Sequence, residues 1–129
     1  MTQACVLVVE DDAELREALC DTLELAGYRF KAADSGEAAL ALLHKEAVDM
    51  VVSDVNMGGM DGHALLDKIK QLKPALPVLL ITAYGAVDRA VDAIRNGAVD
   101  YLLKPFEPDQ LLDIVERHAA SRLALRGGS

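Results

Sequence analysis

The chain has 129 residues, 52% of them hydrophobic but only 4% aromatic and none of them Trp, so it can form one domain around an aliphatic core of helices layered on a sheet. Its 13 Lys and Arg stand against 21 Asp and Glu, and a net charge of −8 argues against direct nucleic-acid binding by this stretch. No apolar run approaches the ~20 residues that cross a bilayer, and Met1-Thr2-Gln3 lacks the basic-then-apolar start of a signal peptide.

Taken in chain order, the first apolar run, Cys5–Val9, predicts a strand buried on both faces, followed at once by Glu10, Asp11 and Asp12. Ala13–Ala26 sets Leu15, Ala18, Leu19, Leu23 and Ala26 on one helical stripe that stops at Gly27. Tyr28–Ala33 alternates in polarity and reads as an edge strand. Ser35 suits the N-cap of a helix over Gly36–Lys45, with Ala38, Leu42 and Leu43 facing inward. Val48–Ser53 is a solid apolar run closed by Asp54, and Asp61 can cap a helix that reaches Leu72 ahead of Lys73-Pro74. A fourth strand spans Val78–Thr82, and a fourth helix runs from about Val87 to Asn96 before Gly97. Val99–Leu103 is the fifth strand, with Lys104-Pro105 directly after it. Pro108 opens the last helix, where Asp109 and Gln110 complement the dipole, and the pattern continues to around Leu123. Cys5 and Cys20 both lie in apolar patterns and read as reduced core residues of a cytoplasmic protein.

Five βα units with short connections predict an α/β fold: a doubly wound, five-stranded parallel sheet in the order 2-1-3-4-5, with helices on both faces. In such sheets chemistry gathers at the carboxyl ends of the strands, near the point where the order reverses. Glu10, Asp11, Asp12, Asp54, Thr82 and Lys104 all fall there, delivered by four different strands. Taken singly each has a plainer reading: the acids as helix-start charges, Thr82 as a strand residue, Lys104 as a solvated cation. Their joint arrival at one edge outweighs those readings.

Several carboxylates in one crevice repel each other unless a cation stands between them. His44, His63 and His118 fall on helices, so the ligands are oxygen only, and a hard ion such as Mg²⁺ fits. Mg²⁺ commonly works with phosphate oxygens. Asp54 is then a natural nucleophile for an acyl phosphate, Lys104 a fixed positive charge for phosphoryl oxygens, and Thr82 a hydroxyl donor to one of them.

The segments Val8-Val9-Glu10-Asp11-Asp12, Ser53-Asp54-Val55-Asn56-Met57-Gly58-Gly59-Met60-Asp61-Gly62, Ile81-Thr82-Ala83-Tyr84 and Gly97-Ala98-Val99-Asp100-Tyr101-Leu102-Leu103-Lys104-Pro105-Phe106 together resemble the receiver domain of two-component response regulators. The resemblance covers essentially the whole chain. It implies a switch that takes a phosphoryl group from a histidine kinase or a small donor. Asp54 would be the phosphoacceptor. Asp11 would bind Mg²⁺ directly, Glu10 through water, and the Asn56 carbonyl would complete the protein ligands. Asp12 is the next candidate ligand, although the helix is expected to begin there. Lys104 would pair with the phosphoryl group, its bond to Pro105 being cis. Thr82 and Tyr101 would form a coupled switch, while Tyr101 also reads as a plain aromatic on an edge strand. Asn56 and Tyr84 would flank the phosphate. Members of the family usually have Pro where this chain has Gly58, and two glycines in a row are expected to loosen the loop that presents Asn56.

The stretch from Thr82 to Ala98 resembles, more narrowly, receivers of the nitrogen-regulatory type, which precede a sigma-54-activating ATPase. That implies a receiver over residues 1–120. Residues 121–129 would be a helix end and flexible tail at the start of an interdomain linker. It also implies an output domain, transcriptional in kind by that resemblance; Val91, Ile94 and Tyr101 would either serve a homodimer contact or simply belong to the core. A phosphatase of the dehalogenase type needs an acid two residues after the nucleophile, where this chain has Asn56. A flavin binder needs a phosphate cradle after the first strand, where Glu10-Asp11-Asp12 would repel it. The remaining alternative is a degenerate receiver that serves as a phosphorylation-independent interaction module.

Overall fold

The computed structural model describes residues 4–83 and 87–126. Ten elements alternate along the chain: β1 (Cys5–Val9), α1 (Ala13–Leu25), β2 (Arg29–Ala33), α2 (Gly36–Lys45), β3 (Met50–Asp54), α3 (Gly62–Leu72), β4 (Val78–Ala83), α4 (Val87–Arg95), β5 (Asp100–Lys104) and α5 (Pro108–Arg126). All strand pairs are parallel and the order is β2-β1-β3-β4-β5, as the alternation predicted. The order reverses between β1 and β3, which opens a crevice at their carboxyl ends.

The sheet separates two apolar cores because strand side chains alternate. Cys5, Leu7 and Val9 of β1 join Ala39 and Leu43 of α2, Leu65, Leu66 and Ile69 of α3, and Ala93 of α4. Val6 and Val8 join Leu19, Cys20 and Leu23 of α1, with Leu111, Ile114 and Val115 of α5. Cys5 and Cys20 are thus buried on opposite faces and unbridged. The edge strand β2 is half exposed, and its Lys31 pairs with Glu46 at 3.1 Å.

Helix starts follow the capping residues. Ser35 Oγ accepts the Ala38 N–H at 3.1 Å, and Asp61 Oδ1 accepts the Ala64 N–H at 2.9 Å. Gly27 and Gly97 stop α1 and α4 with φ of 92° and 110°. Two expectations shift. The stripe predicted for α1 places Ala18 and Ala26 inward, but both are exposed and Cys20 is buried in their stead. α1 and α5 lie side by side on one face, and a groove of about 390 Å³ between them, lined by Leu15, Ala18, Pro105 and Phe106, leaves Ala18 at its wall. α5 also continues past Leu123 to Arg126. Tyr84 and the terminal Gly127-Gly128-Ser129 lie outside the described residues.

The candidate acidic site at the switch point

Strand alternation decides which side chains meet. Val8, Val52 and Leu102 point into the α1–α5 core, so Glu10, Asp54 and Lys104, each two residues on, carry the same parity to the strand ends. Glu10 prolongs β1 by one residue, its N–H donating to Ala33 O at 3.0 Å. Asp54 is the last residue of β3 and is 3% exposed, so its carboxylate lies at the floor of the crevice. Lys104 closes β5, and its Nζ lies 3.0 Å from Asp54 Oδ1 and 3.9 Å from Glu10 Oε1. The Lys104-Pro105 peptide is cis, as the resemblance implied.

Glu10, Asp11 and Asp54 each offer an oxygen within 4.8 Å of the others. Glu10 is buried, and burial together with the Asp54 charge pushes its carboxyl up to about 7; the Asp12 N–H and Lys104 oppose that rise only in part. Its Oε2 accepts the Asp12 N–H at 3.1 Å, while Oε1 accepts no hydrogen bond among the described residues. Arg16, one turn into α1, donates from its guanidinium to the Glu10 carbonyl at 2.9 Å. Asp11 is exposed, and the Gly58 N–H, 3.1 Å from its Oδ2, holds its carboxyl below the ordinary range. Three carboxylates around one buried, under-bonded oxygen, with a single ammonium beside them, form a donor set that suits a hard divalent cation.

Asp12 belongs elsewhere. Its Oδ1 accepts the N–H groups of Glu14 and Leu15 at 3.0 and 3.3 Å, so it is the N-cap of α1. Of the three consecutive acids, Glu10 and Asp11 are thus the two whose carboxylates gather with that of Asp54.

Thr82 and Tyr101 have the opposite parity. Thr82 is 3% exposed, and Tyr101 is half-buried. By register Leu80 pairs with Tyr101 and Thr82 with Leu103, so both face the α2–α3–α4 side, one step apart on neighbouring strands. Asn56 is exposed in the β3–α3 connection, where Gly59 has φ of 74°. The connection returns tightly to β3. Gly62 donates to Val55 O at 2.9 Å, and a Cβ on Gly62 would stand 2.6 Å from Asp54 O. Arg16 and Gly62 were not singled out in the sequence as site residues, and Gly58 only as a departure from the family's usual Pro, not as a donor to Asp11. Their roles depend on contacts across loops, which no local pattern announces.

Residues 6–116 match the protein family described as the response regulator receiver domain. The chain belongs to that family. This receiver is 64% identical over 120 residues to the response regulator protein FleR of Pseudomonas aeruginosa, covering 93% of this chain and 25% of that protein. It is 44% identical over 117 residues to the DNA-binding transcriptional regulator NtrC of Salmonella typhimurium, covering 91% of this chain and 25% of that one. The receiver thus spans about a quarter of the length of the curated relatives it matches, which agree with the narrower, nitrogen-regulatory resemblance. Among solved structures, the receiver domain of NtrX from Brucella abortus superposes with a TM-score of 0.86 at 38% identity, over 89% of this chain and 98% of that one. A CheY-like receiver from Methanospirillum hungatei gives a TM-score of 0.87 at 26% identity, over 94% of this chain and 97% of that one.

Proposed function

We propose that this receiver is a phosphorylation switch in which Asp54 takes a phosphoryl group, assisted by Mg²⁺ held on Asp11, Asp54, the Asn56 carbonyl and, through water, Glu10. The observation that carries this reading is the Asp54 carboxylate, buried at the crevice floor, 3.0 Å from Lys104 Nζ and within 4.8 Å of two further acids. One Asp54 oxygen attacks phosphorus, the bond from phosphorus to the donor breaks, and the donor leaves with that electron pair. Bound between the acids, Mg²⁺ would neutralise charge on the phosphoryl oxygens and on the carboxylates themselves. Lys104 moves with little displacement from the Asp54 carboxylate to a phosphoryl oxygen, and the Thr82 hydroxyl donates to another. Donation by Thr82 draws it toward the crevice and leaves space on the α4 side into which the Tyr101 ring turns.

The donor is the phosphohistidine of a sensor histidine kinase in the cytoplasm, and the readout is a C-terminal output domain, transcriptional in kind. The length of the curated relatives supports an output domain beyond this stretch. Residues 1–120 form the receiver and 121–129 lead into the linker. A homodimer contact on α4 and β5 is supported by Val91 and Ile94, which are 43% and 42% exposed. Asn56 supplies an amide where a turnover phosphatase of the dehalogenase type needs an acid, so the domain works as a switch rather than as an enzyme.

Incubation with acetyl phosphate or phosphoramidate, with and without Mg²⁺, followed by intact mass, tests the reading. A Mg²⁺-dependent gain of one phosphoryl group, lost in Asp54→Asn, is expected. No gain in folded protein, beside a control receiver that reacts, would leave a phosphorylation-independent interaction module.

A further inference from the structure

Gly58 and Gly59 stand side by side in the β3–α3 connection, but the backbone requires only the second. Gly59 has φ of 74°, in the left-handed region that favours glycine. Gly58 has no positive φ, and a Cβ built on it would meet nothing within 4 Å. Sterically, position 58 would accept a side chain. What it supplies is a hydrogen: its N–H donates to Asp11 Oδ2 at 3.1 Å. Proline at this position has no hydrogen to give.

The bond spans the switch point and joins the loop after β1 to the loop after β3. The far side of the second loop is anchored independently. Met60 packs on the first residue of α2, where a Cβ on Gly36 would come 2.8 Å from Met60 Sδ. Gly62 is pressed against the backbone of Asp54 and Val55. Between these anchors, Asn56 and Gly58 are exposed, as is Asp11 across the crevice. An exposed carboxylate and an exposed loop each lose conformational freedom when they gather on an ion that demands near-octahedral geometry. A carboxylate has room for a donor on one oxygen and a cation on the other. The N–H therefore orients Asp11 without using up its capacity as a ligand.

We propose that Gly58 is a positioning residue whose N–H locks the Asp11 carboxylate to the Asn56-bearing loop, so that the two loops form one preset cation site. The proposal rests on the reading above that Asp11 and the Asn56 carbonyl hold Mg²⁺. It reverses the expectation that two glycines loosen the loop: Gly59 gives the turn, and Gly58 ties it down.

The test compares Gly58→Ala, which keeps the N–H and fits the open space, with Gly58→Pro, which deletes the donor. Amide exchange and ¹⁵N relaxation are read first in metal-free protein, and Mg²⁺ is then titrated by NMR. Gly58→Ala is expected to bind Mg²⁺ within about 2-fold of the parent, and Gly58→Pro about 3–10-fold more weakly with added motion over residues 56–60. Asp11→Ala provides a check independent of proline, because it should speed exchange of the residue 58 amide in metal-free protein. Equal Mg²⁺ affinity in the Ala and Pro variants, or unchanged exchange in Asp11→Ala, would overturn the role while leaving the metal reading intact. A parent protein that binds no Mg²⁺ would overturn both.

Discussion

Asp49 and Asp54 bracket the same strand and are both buried, yet different groups face their carboxylates. At the amino end, Asp49 is matched to backbone: its N–H donates to Cys5 O at 2.7 Å, and its Oδ2 accepts the Cys5 N–H at 2.8 Å. That pair of bonds fastens the entry of β3 to the start of β1. At the carboxyl end, Asp54 faces two other acids and one ammonium. A buried acid that accepts a backbone donor ties a fold together; buried acids facing each other store repulsion that a cation or a phosphoryl group can relieve. Burial alone does not mark a site, but burial with unresolved charge does.

The comparison breaks most sharply at Asp54. Asp54→Asn should abolish phosphoryl uptake while leaving the thermal midpoint unchanged or raised, since one repelling charge is gone. A midpoint well below the parent's would mean that Asp54 serves the fold as Asp49 does. Lys104→Met should slow phosphorylation by acetyl phosphate roughly 100-fold, in line with the loss of one preorganised electrostatic contact. A rate within a few-fold of the parent would remove Lys104 from the chemistry.

Glu10 links the site to pH. Its carboxyl is held at about 7 in the folded protein, against an ordinary value of 4.5. The folded, metal-free protein therefore keeps a proton that the unfolded chain has released between those values. Its stability should be full below pH ~4.5 and fall as pH rises through ~7, by up to about 3 kcal/mol. Urea melts in EDTA across that window should show the decline, and Glu10→Gln should flatten it. Mg²⁺ competes with that proton, so its affinity should tighten over the same window. Asp49→Ala should cost about 2 kcal/mol by stranding the Cys5 N–H, with Mg²⁺ affinity of the folded protein unchanged. Altered affinity would show that the two ends of the sheet are coupled.

Much of this was legible in the residues. Solid apolar runs mark the inner strands, and the alternation of Tyr28–Ala33 marks the edge, because a strand covered on both faces cannot afford polar side chains. Ser35, Asp61 and Gly27 act as caps and stop as their chemistry dictates. The burial of α1 was legible only in part: Leu19 and Leu23 face inward as expected, but Ala18 borders a groove whose width depends on where α5 lies. Helical periodicity gives a direction of burial and not the breadth of the neighbour.

The five βα repeats, the strand order and the polar residues at the carboxyl edge were readable from the residues alone, since these depend on periodicity and chain connectivity. Tertiary structure decided how three consecutive acids divide their work. Asp12 caps a helix, Asp11 is tied to Gly58, and Glu10 is buried beside Asp54 with its carboxyl raised to about 7. Those outcomes depend on distances between residues far apart in the chain and on the water excluded around them. Desolvation and Coulomb energy are properties of a place in the fold, not of a residue in a string.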